Sequence, residues 1–111
     1  MPIDLRLDAE EVPLLIDLYE LTMAASYFAL GMNGPASFGL SVRRTPPRRG
    51  FLVAAGLERV LEALEQFHFG PAAIEYLDSL KLFSPEFLAF LAAIRFTGDV
   101  HGLPEGTIFF A

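Results

Sequence analysis

From Leu14 to Leu30 the chain reads LLIDLYELTMAASYFAL, with Leu18, Leu21, Ala25 and Phe28 at three- and four-residue steps. That period predicts a helix with one stripe facing a core, stopped at its C-terminal side by Gly31. Asn33-Gly-Pro35 marks a turn. In ASFGLSVR the period changes to two: Phe38, Leu40 and Val42 share one face, and Ser37, Gly39, Ser41 and Arg43 share the other. This predicts a strand whose apolar face is a core face and whose small-residue face lets another layer or a ligand approach the backbone. Thr45-Pro-Pro47 ends it, because two prolines remove two ladder donors.

A short apolar piece, FLVAAG, follows. From Leu57 to Phe67, Leu57, Val60, Leu61 and Leu64 fall on one side and Glu58, Glu62 and Glu65 elsewhere, the pattern of an amphipathic helix. Gly70-Pro71 and Ser84-Pro-Glu86 each put a proline where a first helical residue belongs, predicting two more helices, AAIEYLDSL and one running to about Ile94. Alternation returns in DVHGL and TIFF, read as two short strands joined by Pro104-Glu-Gly106. The fold class is α+β: an acidic lead-in, 1–12, and one domain, 13–111, without repeats or linkers. A chain that stops at Ala111 within a strand pattern is expected to have continued.

Composition sharpens this. With glycine counted and tyrosine left out, about 59% of the residues are apolar, against about 45–50% in ordinary soluble domains. A chain of 111 residues should bury roughly two thirds of its unfolded surface. More apolar side chain is present than one small core needs, so burial against something outside this chain is expected. Asp17, Glu20, Arg59, Glu62 and Glu65 interrupt every apolar run before the roughly 18 residues of a membrane span. The acidic N-terminus carries no secretory pattern, and a cytoplasmic location without membrane partners is expected. With no cysteine there is no disulfide, thiolate nucleophile or cysteine zinc site. A net charge of -6 argues against a nucleic-acid partner.

Against that acidic background, SVRRTPPRRGF stands out, since Arg43, Arg44, Arg48 and Arg49 are half of the 8 basic residues. Guanidinium groups make bidentate bonds to phosphate oxygens, and neighbouring prolines would hold them in place. A solvated turn paired with surplus acids, or a proline-rich peptide ligand, fits the same charge pattern. Asp17 and Glu20 have the spacing of a capping box, which alone accounts for both acids. Tyr19 offers a flat ring with a polar tip, suited to packing, to an interface or to a heteroaromatic ligand. His68 and His101 have no nucleophile or metal-ligand partner at diagnostic spacing, and no phosphate-loop, dinucleotide or HExxH motif is present. No catalytic and no metal-ligating residue is assigned in this chain.

Four segments taken together, DLYELTMAASYFALGM, VRR-x-PP-x-RGFLVAAGLE, LFSPEFLAFL and RFTGDVHGLPEGT, resemble the N-terminal part of the nicotinate phosphoribosyltransferase family, in its order and spacing. The resemblance runs from Pro13 to Phe110. It implies the N-terminal domain of a type II phosphoribosyltransferase, packed in the whole enzyme on an α/β barrel that this chain lacks. The implied reaction joins nicotinate and phosphoribosyl pyrophosphate to give nicotinate mononucleotide and pyrophosphate in NAD salvage, with coupled ATP hydrolysis. Mg²⁺ and ATP would serve the full enzyme, a homodimer with sites at the subunit interface.

The resemblance further implies that Tyr19 stacks on the pyridine ring in the partner subunit's site, with Asp17 beside it. Arg43 would face phosphate groups, and Arg44 and Arg49 are included by proximity. The family's phosphorylated histidine belongs to the barrel portion, so neither His68 nor His101 inherits its role, and the isolated chain is expected to be inactive. This chain has FGLSVRR where the family commonly has FELFVRR, with Gly39 and Ser41 as the replacements, and Ile16 stands where threonine is usual. The alternative of a different class is a non-catalytic binding or assembly module that keeps the fold.

Overall fold

The computed structural model describes residues 8–111. A single 3₁₀ turn, Val12–Leu14, leads to α1 (Leu18–Ala29), then β1 (Leu52–Val53), α2 (Leu57–Gln66), α3 (Pro71–Ser79), α4 (Pro85–Ala93) and β2 (Ile108–Phe109). The chain is α+β, with four helices and a two-stranded sheet among the described residues.

α1 starts four residues later than the apolar period suggested, because Asp17 takes an extended ψ of 143° as N-cap. Its end is a Schellman motif: Gly31, at φ 65°, donates to the Phe28 carbonyl at 3.1 Å, and Met32 donates to Tyr27 at 2.9 Å. A left-handed residue is needed there, and glycine adopts it without a Cβ clash. α3 begins with Pro71 after Gly70, and α4 with Pro85 after Ser84, whose hydroxyl accepts the Phe87 N–H at 3.1 Å.

The core lies among α1, α3 and α4. Leu21, Phe69, Ala73, Leu77, Phe87, Leu88 and Leu91 are buried, with Phe67, Ile74, Phe83 and Ile94 packed against them. The Phe87 ring has three aromatic neighbours, Phe28, Phe83 and Phe90, at centroid distances of 5.7, 5.6 and 6.2 Å. These are separations at which ring pairs attract beyond simple area burial.

Outside this core several expectations fail in the same way. Residues 33–51 form no strand, and Phe38 and Leu40, expected to face the core, are 97% and 100% exposed. Alternation marks a face that wants cover, but a strand also needs a neighbour for its N–H and C=O groups, and no described segment pairs with this one. DVHGL is likewise irregular; TIFF supplies β2, which pairs antiparallel with β1 from FLVAAG, Leu52 opposite Phe109 and Val53 opposite Ile108. α2 keeps its amphipathic pattern yet buries no residue.

The accessible surface of 9463 Å² exceeds the roughly 6,100 Å² usual for 12.2 kDa, so folding hides under half of the unfolded surface rather than two thirds. A Cα radius of gyration of 17.2 Å, against about 13 Å for a compact domain of this length, says the same. The surplus, about 3,400 Å² on this chain alone, exceeds the roughly 1,000–2,500 Å² that one partner contributes to most obligate interfaces. No described helix is long and apolar enough to cross a membrane.

Candidate functional site

Asp17 and Tyr19 stand at the first turn of α1. Asp17 and Glu20 form a capping box in which the Glu20 carboxylate accepts the Asp17 N–H at 3.1 Å. The helix start therefore accounts for both acids, as their spacing allowed. Tyr19 has no such structural duty: its side of α1 is turned from the core, which receives Leu21, Ala24 and Ala25. The tyrosine is 60% exposed, and Met23 and Tyr27, one and two turns on, are each 45% exposed. An aromatic and thioether stripe so placed can receive a flat apolar partner along its length.

The arginine segment is built differently. Arg49 N–H donates to the Pro46 carbonyl at 3.1 Å, closing a turn with Pro47 second and Arg48 third. Arg48 sits at φ 69°, the left-handed third position of a type II turn. Arg43, Arg44, Arg48 and Arg49 are all exposed, and none forms an ion pair with a described acid. The arginines thus stand in solvent without a described counter-charge, an arrangement that the solvated-turn, phosphate-site and peptide-ligand readings of the charge pattern share. Beside the turn lies a shallow open depression of about 500 Å³ lined by Arg48, Arg49, Gly50, Phe51, Leu52 and Val53.

The structure thus brings Arg49 to a concave surface and adds Arg48, which the sequence reading had not selected. No local signal marked it: proline at the second position suits type I and type II turns alike, and a positive φ at the third is usual for glycine or asparagine rather than arginine. Arg43 and Arg44 lie on the irregular approach to the turn and line no part of this depression; nor do Asp17 and Tyr19.

Glu105 was also missed. Its Oε1 accepts the N–H groups of Gly56 and Leu57 at 2.8 and 2.6 Å, capping α2 from 49 and 48 residues away and tying it to the turn before β2. No spacing rule reaches that far. His101 is exposed, and the described residues contain no group of three His, Asp or Glu that could hold a metal ion.

Residues 14–111 match the family model of the nicotinate phosphoribosyltransferase N-terminal domain. Two similar relatives are nicotinate phosphoribosyltransferases pncB2 and pncB1 of Mycobacterium tuberculosis, 50% identical over 97 residues and 42% over 98, each covering 87% of this chain. A nicotinate phosphoribosyltransferase of Bacillus subtilis is 34% identical over 102 residues, covering 91% of this chain. The chain spans 21% of the length of each of these three. No solved structure matches. By its matched residues, the chain belongs to the nicotinate phosphoribosyltransferase family, to whose N-terminal domain they correspond.

Proposed function

We propose that this chain is the substrate-contributing N-terminal part of a nicotinate phosphoribosyltransferase of type II architecture, acting in NAD salvage. In the whole protein, a homodimer with sites between subunits, the nicotinate ring nitrogen would bond to the ribosyl carbon as the bond to pyrophosphate breaks. Positive charge develops on the sugar and negative charge on the leaving group, so pre-placed cations favour the transition state. Arg43, with Arg44 and Arg49, would hold the anionic substrate, and Tyr19 would stack on the pyridine ring beside Asp17.

The observation that carries this reading is the arginine segment: four exposed guanidinium groups, held by a proline turn and unpaired with any described acid. Such a segment can receive a phosphate without first breaking an internal ion pair. Mg²⁺ and ATP belong to the reading for the whole protein only. The described residues contain no group of His, Asp and Glu side chains that fits a metal site.

In a protein of the relatives' full length, Arg43→Ala should cost about 1.5–3 kcal/mol in kcat/KM for phosphoribosyl pyrophosphate, the scale of a lost charged hydrogen bond. Its effect on nicotinate use should be much smaller. Tyr19→Ala should show the opposite bias, because a stacked ring is lost and no phosphate contact is touched. Steady-state kinetics of both variants against both substrates decide the matter. Unchanged phosphoribosyl pyrophosphate kinetics in Arg43→Ala would make the arginines surface charge and overturn the proposal.

A further inference from the structure

Residues 8–11 precede the segment that matches the family, 14–111, yet they are built onto it. Their turn is closed by the Asp8 carbonyl, which accepts the Glu11 and Val12 N–H groups at 2.9 and 3.2 Å, and by Asp8 Oδ1, which accepts the Glu10 N–H at 3.0 Å. Pro13, directly after it, is buried. The turn aims Glu10 at the corner between α2 and α3, where Glu10 Oε1 lies 3.2 Å from His68 Nε2. The same carboxylate rests on Gly70, at which any Cβ would collide with Glu10 Oε2. Gly70 is the N-cap of α3, so the carboxylate also meets the positive end of that helix.

The other ring nitrogen decides the chemistry. His68 Nδ1 is 2.8 Å from the Gln66 carbonyl oxygen. Both neighbours of the ring can only accept, whereas a neutral imidazole has a single N–H. It can satisfy the carbonyl or the carboxylate but not both; the imidazolium donates to both and adds a charge opposite Glu10. No other described acid is within ion-pair distance of the ring: Asp8 and Glu11 on the lead-in, Glu65 on α2 and Glu75 on α3 are exposed and lie beyond it.

We propose that Glu10, His68 and Gly70 form a pH-responsive latch that seats the acidic lead-in on the α2–α3 corner, closed when the imidazole is charged and half-made when it is neutral. The latch is independent of the catalytic reading and is tested without activity. Hydrogen exchange of the 111-residue chain, resolved by mass spectrometry, is compared at about pH 5.5 and about pH 7.5, two conditions within the range over which imidazoles in general change charge. After correction for intrinsic rates, residues 8–14 should exchange about two- to fivefold more slowly at the lower pH, the scale of a part-exposed ion pair. The difference should vanish in His68→Gln and Glu10→Gln and persist in His101→Gln. Gly70→Ala, which displaces the carboxylate while keeping both titrating groups, should abolish it too. Glu10→Gln is an exposed near-isostere, and unchanged protection of α4 in it reports an intact core. A pH difference that survives in Glu10→Gln, or that is absent from the unsubstituted chain, would overturn the latch.

Discussion

The cluster of α1, α3 and α4 and the segment 32–51 are made of similar side chains with opposite fates. Phe87 and Leu77 are each 1% exposed, while Phe38 and Leu40 are 97% and 100% exposed. The difference lies in where backbone partners come from. A helix closes its hydrogen bonds within itself, so it needs only one apolar face covered, and α3 and α4 are close enough in sequence to cover each other. A strand cannot close its ladder alone. The segment with the strand pattern therefore stays open, carrying its apolar face and its arginines on the same exposed arm.

The largest expected effect separates the two regions directly. Phe87→Ala should cost about 3–5 kcal/mol in urea unfolding of this chain, since it removes a buried ring with three aromatic neighbours. Phe38→Ser should move stability by no more than about 0.5 kcal/mol and instead reduce self-association in sedimentation. Equal losses from the two substitutions would erase the distinction between a packed core and an uncovered arm.

A smaller effect tests how the peripheral sheet is attached. Glu105→Ala should destabilise α2 by about 0.5–2 kcal/mol, the usual range for a lost N-cap, seen as faster amide exchange at Gly56 and Leu57 with α4 unchanged. Equal loosening of α4 would show that the sheet and the core unfold as one unit. The smallest effect lies in the arm itself. Arg48→Gly relieves a non-glycine residue at φ 69° and should raise the thermal midpoint by the equivalent of at most about 1 kcal/mol, because glycine's own entropy offsets part of the gain. A lowered midpoint would mean that the Arg48 side chain stabilises the folded chain more than its backbone strains it.

Much of the helical part was legible because its signals are local. Asp17 with Glu20, Pro71, Ser84 with Pro85, and Gly31 each act within four residues of themselves, and each stands where its chemistry required. The candidate site was visible in the sequence only as residue types, a tyrosine on the predicted α1 and a group of arginines beside two prolines. Arg48 escaped selection because its part depends on the turn's backbone rather than on charge. Glu105 escaped because its hydrogen bonds cross 49 and 48 residues.

By itself, then, the order of residues determined the four helices, their caps, the surplus of apolar surface and the concentration of positive charge between Arg43 and Arg49. All of these follow from neighbours a few positions apart or from composition. Only the tertiary structure decided that FLVAAG rather than ASFGLSVR becomes a strand, that TIFF is its partner, that α2 is capped from a distant turn, and that Glu10 reaches His68. Each of those outcomes depends on which distant segment arrives with free donors or acceptors, and periodicity along the chain carries no record of that.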